Sequence, residues 1–96
     1  MTTPKIKRIH IFGGGTVAHI TSHFAVSAPA YGQTAVTLGR LCRDRFDTCE
    51  IEYELTRMAG GNMETNADVA ARIEELKADS ATKVIFMSAA LCDWEP

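Results

Sequence analysis

No apolar run in this chain approaches the roughly 20 residues that a membrane-spanning helix needs. The start, Met1-Thr2-Thr3-Pro4 followed by alternating Lys, Ile and Arg, has no apolar h-region, so we expect no signal peptide and no membrane partner. Cysteine is scarce: Cys42, Cys49 and Cys92 are odd in number and lack CxxC spacing. That argues against a disulfide framework or a zinc ribbon and fits reduced thiols in a cytoplasmic protein. Excess positive charge is missing too, with 10 Lys and Arg against 12 Asp and Glu. The basic residues are scattered, so no nucleic-acid footprint is expected. Neither internal repeats nor low-complexity segments occur. The 96 residues suffice for one small domain, 1–96, and not for a complete two-domain enzyme.

What is present begins with Ile9-His10-Ile11-Phe12-Gly13-Gly14-Gly15-Thr16. It reads as a buried strand, residues 5–12, emptying into a glycine-rich turn. Glycines lack a Cβ, so their N–H groups can approach an anion closely, which is how phosphate-binding α/β domains commonly begin. The turn also serves a tight strand-to-loop reversal with no ligand.

Residues 16–27 are ambiguous: Val17, Ile20 and Phe24 have the spacing of a short helix, which Pro29 would end. Residues 27–32 read as a loop, and 33–44 as a helix with Ala35, Leu38, Leu41 and Cys42 inward. Gly39 marks close packing against a sheet in that reading. Strict alternation from Cys49 to Leu55 predicts a half-exposed strand near an edge, with Glu50, Glu52 and Glu54 outward. Thr65 and Asp68 form a capping-box pattern that opens the clearest helix, with Val69, Ile73 and Leu76 buried and Arg72 solvated. Residues 83–87 form an apolar run of strand length, expected at the buried centre of a parallel sheet. The alternation gives an α/β, Rossmann-like three-layer fold with a mainly parallel sheet, in a short or incomplete version. Ligands in such sheets bind beyond the carboxyl ends of the strands. The loop after the first strand and residues 88–96 both leave such ends, so we expect Asp93 and Gly15 to share one crevice.

Residues 13–18 fit the dinucleotide pattern G-x-G-x-x-A, which keeps an NAD-binding oxidoreductase fragment as an alternative. The loops together carry a different likeness. Gly14-Gly15-Thr16, the segment from Ser27 to Gly32, and Ser88-Ala89-Ala90-Leu91-Cys92-Asp93-Trp94 resemble the nucleotide motifs of the phosphopantothenoylcysteine synthetase domain, the cytidylate-forming ligase of coenzyme A biosynthesis. The resemblance covers the N-terminal part of that domain. It implies CTP as a substrate, with Mg2+, and a small-molecule acid beside it. Separately, a domain of this class needs more strands to cover the apolar face of its last one, so we expect a fragment or a chain that completes itself by association, as in a homodimer. The resemblance also implies that Gly13, Gly14, Gly15 and Thr16 line the nucleotide pocket. Ser27 and Gly32 would present donors to phosphates, with Ala89 and Asp93 approaching from the last strand. Ala25 stands where the family carries an asparagine that helps hold the acyl-cytidylate, and the Ser/Gly segment lacks the family's lysine. A chain without these groups is expected to be incomplete for catalysis alone, and a non-catalytic nucleotide-binding or assembly module is the other alternative.

Of the remaining residues, His19 and His23 have the i, i+4 spacing of helical metal ligands but no third ligand nearby, so no metal site is expected. Cys92 lies beside the site without a base to activate it. Trp94 is expected to be a packing residue.

Overall fold

The computed structural model describes residues 6–93. Trp94 and the end of the last loop lie outside them, as does Lys5 at the start of the first expected strand. Strand β1 (Arg8–Gly13) is followed by two three-residue strands, β2 (Val17–His19) and β3 (Ala25–Ser27). Helix α1 (Gln33–Arg45), strand β4 (Glu50–Leu55), helix α2 (Asn66–Ala78) and strand β5 (Lys83–Met87) complete the chain. Strands β4, β1 and β5 form a parallel sheet in that order. The fold is thus a short Rossmann-like α/β domain.

Strand parity decides which side chains enter which layer. Ile9 and Ile11 of β1 pack with Ala35 and Cys42 of α1, joined by Ile51, Tyr53 and Leu55 of β4. Phe12 points to the other side, where Val69 and Leu76 of α2 cover it together with Ile85. Two crossovers of opposite placement therefore bury β1 on both faces. Gly39 serves the first layer, because a Cβ there would stand 1.9 Å from the Tyr53 hydroxyl oxygen.

The start of α2 follows the expected capping box. Asp68 N–H donates to Thr65 Oγ1 at 3.2 Å, while Asp68 Oδ2 accepts from the N–H groups of Thr65 and Glu64 at 3.0 and 2.9 Å. These backbone bonds hold the Asp68 carboxyl below its ordinary range.

Four expectations need correction. Residues 17–27 form an antiparallel hairpin, not a helix. Thr21 Oγ1 accepts from the N–H groups of His23 and Phe24, and Ile20 N–H donates to Phe24 O, so the chain reverses before a helical turn can close. Strand β5 lies at an edge, and β1 is central, because α2 carries the chain past β1. Leu41 of α1 is 54 % exposed, and Gly39 takes the inward place instead. Glu54 and Arg72 are not simply solvated: Glu54 is buried and Arg72 closes over it.

Among the described residues no helix is long and apolar enough to cross a membrane.

Candidate functional site

All three parallel strands end on the same side of the sheet, which brings their following loops together. The glycine turn after β1 is the hub. Ala90 N–H donates to Gly14 O at 2.9 Å and Thr16 N–H donates to Ala90 O at 3.1 Å, so the loop after β5 runs alongside the turn. The loop after β4 joins through Thr56 N–H to Gly13 O at 3.0 Å and Val17 N–H to Glu64 O at 2.8 Å. Gly15 N–H is taken by Ala30 O at 2.9 Å. The loops after β1 and β5 thus meet, but the N–H groups of Gly15, Thr16 and Val17 are spent within the chain.

The glycines themselves are required by close packing. A Cβ on Gly13 would stand 2.5 Å from Ala35 Cβ, and one on Gly15 would stand 1.8 Å from the Ala28 carbonyl oxygen. Gly14 adopts φ +96° with Thr56 Oγ1 2.1 Å from where its Cβ would lie. The run lets three segments touch, and it leaves no open cradle of its own.

Donors are left instead at the start of α1. Gly32 is the N-cap, with φ +84°, and no side chain caps the helix. Val36 N–H makes the first helical bond, to Gly32 O at 3.0 Å. The N–H groups of Gln33, Thr34 and Ala35 therefore lack helical acceptors, and the first turn carries no acidic residue. With the positive end of the helix dipole, this is the electrostatic environment an anion favours. Gly13 adjoins it, since its missing Cβ would lie 3.6 Å from Gly32 Cα.

The other expected site residues are distributed as follows. Thr16 is fully buried and its hydroxyl is engaged by Asn66 and Cys92. Ser27 is exposed on β3, in register with Val17, and does not itself open α1. Ala89 packs against the Phe12, Val69 and Leu76 cluster. Asp93 is exposed, one residue beyond Cys92. Ala25 is exposed on β3. His19 lies on a strand, so its helical pairing with His23 falls away. Its Nε2 contacts Glu64, which also takes Arg57 Nη1 at 2.9 Å.

One polar cluster was missed from the sequence. His10 is wholly buried on the α2 side of β1, opposite Glu52 in the strand register. Its Nδ1 lies 3.4 Å from Glu52 Oε2 and 3.3 Å from Glu54 Oε1, and its Nε2 has no partner. The three ligand atoms fall within 4.8 Å of one another, a spacing that a divalent ion can bridge. Arg72 already claims both oxygens of Glu54, at 2.7 and 2.9 Å, so the cluster is an ion-pair network as it stands. Burial pushes the Glu54 carboxyl up, but the hydrogen bonds and charge of Arg72, with His10 adding to them, bring it below its ordinary value. The Arg72 guanidinium is raised in turn by its bond to Glu54. The signal was present in strand parity, since 10, 52 and 54 share one sheet face; the arginine that completes the cluster lies 18 residues further on.

These features define a small Rossmann-like domain whose loops converge on one edge beside an uncapped helix. Compared with family models, with curated proteins and with solved structures, the chain matches none. Its dinucleotide pattern is followed by a hairpin, where the fingerprint requires a helix.

Proposed function

We propose that this chain is a nucleotide-binding domain of the phosphopantothenoylcysteine synthetase kind, taking CTP with Mg2+ at the carboxyl edge of its sheet. The start of α1 carries this reading. It is uncapped and free of acidic residues, and it adjoins the turn where the loops after β1 and β5 meet. The N–H groups of Gln33 and Thr34, on an exposed first turn, receive a phosphate. Asp93 supplies a carboxylate for the base, the ribose or the magnesium.

In the family reaction a carboxylate attacks the α-phosphate of CTP and expels pyrophosphate, and an amine then attacks the acyl carbon and displaces cytidylate. The methyl group of Ala25 cannot hold an acyl-cytidylate as an amide would, so the chain alone binds nucleotide without turning it over.

Calorimetry and melting temperature with CTP–Mg2+ test the reading. At a hundred times the Kd the nucleotide should stabilise the fold by about 2.7 kcal/mol. Thr34→Asp separates binding from folding. A carboxylate in the first turn favours the helix by about 0.5 kcal/mol, yet it repels a phosphate. The variant should melt no lower than the wild type and bind CTP less well. A wild type that gains no stability from CTP, or a variant that gains as much, would overturn the proposal.

A further inference from the structure

Three groups, from the loop after β1, the start of α2 and the loop after β5, close a ring of hydrogen bonds beside the glycine turn. Thr16 Oγ1 accepts from the Cys92 N–H at 2.7 Å and donates to Asn66 Oδ1 at 2.6 Å. Asn66 Nδ2 donates to the Cys92 carbonyl at 2.8 Å. The directions follow from the chemistry. The Cys92 N–H can only donate, so the Thr16 proton turns to Asn66, whose facing atom must be the amide oxygen. The amide nitrogen then faces the Cys92 carbonyl, where a donor is needed.

Each bond ties a different segment. Thr16 follows β1, Asn66 opens α2, and Cys92 follows β5. Backbone bonds between Ala90 and the glycine turn hold the first part of the last loop. The ring holds its next part, and Cys92 Sγ adds a contact to Val26 O at 3.6 Å. Asp93 is one peptide unit further, about 3.8 Å from Cα to Cα.

Asn66 is a poor choice for the helix alone. It is the first helical residue, where asparagine has lower propensity than alanine, and the cap is already supplied by Thr65 and Asp68. Its side chain serves the loops instead.

We propose that Asn66 is a positioning residue for the nucleotide: through Thr16 and Cys92 it fixes the place of Asp93 at the crevice. This rests on the nucleotide-binding reading above. It also gives Thr16 a different task from lining the pocket, since its hydroxyl is buried and fully engaged.

Asn66→Asp is the discriminating variant. Aspartate matches asparagine in shape, suits a helix start, and still accepts from Thr16. It cannot donate to the Cys92 carbonyl, and it places two oxygens against each other. The melting temperature should fall by a few degrees at most, amide exchange at Cys92 should quicken, and CTP–Mg2+ should bind roughly tenfold less tightly or worse. Thr16→Ser, which keeps both bonds, should retain wild-type affinity, whereas Thr16→Val should lose it. Unchanged exchange at Cys92 in Asn66→Asp overturns the positioning role whatever the nucleotide result. Quickened exchange with unchanged CTP affinity overturns its importance for binding. A wild type that does not bind CTP overturns the underlying reading and the nucleotide role with it, while the exchange measurement still decides whether Asn66 orders the loop.

Discussion

Glu54 is the residue whose environment departs most from what its sequence neighbours suggest. In an alternating strand it belongs to an outward row with Glu50 and Glu52, yet it is only 9 % exposed. Desolvation alone would raise its pKa. The forked hydrogen bonds from Arg72, and His10 on the other side, keep it ionised. Its carboxyl therefore titrates below the value of 4.5 for a free glutamate. A carboxyl lowered in the folded state contributes stability above its unfolded pKa and loses it as pH falls through the folded one. Stability should thus decline below about pH 4.5, and Glu54→Gln should flatten that decline in urea titrations run at successive pH values. At neutral pH, Arg72→Ala should cost about 3 kcal/mol, because it leaves a buried carboxylate without its cation. Replacing both partners with leucine should recover most of that loss, since the desolvation cost disappears with the charges. A double variant as unstable as the single would show that the pair contributes net stability rather than mutual compensation.

Helix α2 shows at the scale of an element how far local signals reach. Thr65 and Asp68 specify its start within four residues, and both bonds of the capping box are made. Thr65→Ala should therefore cost about 1 kcal/mol in chemical denaturation, with Thr65→Ser close to neutral. A loss within error for Thr65→Ala would mean that packing alone sets the helix start. Strands β1 and β5 were equally legible from their β-branched and apolar content. The hairpin at 17–27 was not, because three apolar residues at helical spacing also fit two short strands, and the Thr21 turn that decides between them is a weak local signal. The parallel topology brought the glycine turn and the loop after β5 to one edge, and that much could be foreseen. Which N–H groups stay free could not, because Ala30, Glu64 and Ala90 reach the turn from distant positions. Asn66 escaped notice for a related reason: beside a capping threonine it reads as part of the helix start, while its partners lie 50 and 26 residues away.

Across the whole molecule the sheet is covered unevenly. Helix α1 packs mainly over β1 and β4, and α2 over the opposite face; on the α1 side β5 joins the core layer through Phe86 alone, which like Val84 stays half-buried. With Ile6, Ile9, Phe46 and Cys49 these two line an apolar groove of about 90 Å³. The two sheet edges also differ in character. Strand β4 carries glutamates, which discourage edge pairing, whereas β5 is Lys-Val-Ile-Phe-Met. If the isolated domain leaves this side wet, Val84→Thr removes little buried apolar contact. It should then cost less than about 1 kcal/mol in urea denaturation. Ile11→Thr, at the fully buried centre of the same sheet, places a hydroxyl in a dry layer and should cost about 3 kcal/mol. The difference between the two measures how unequal the layers are. Equal losses would mean that β5 is covered in solution, and because a second copy would supply that cover only by mass action, the Val84→Thr loss would then grow with protein concentration. A loss that is equal to that of Ile11→Thr and independent of concentration would instead place the cover within the chain itself.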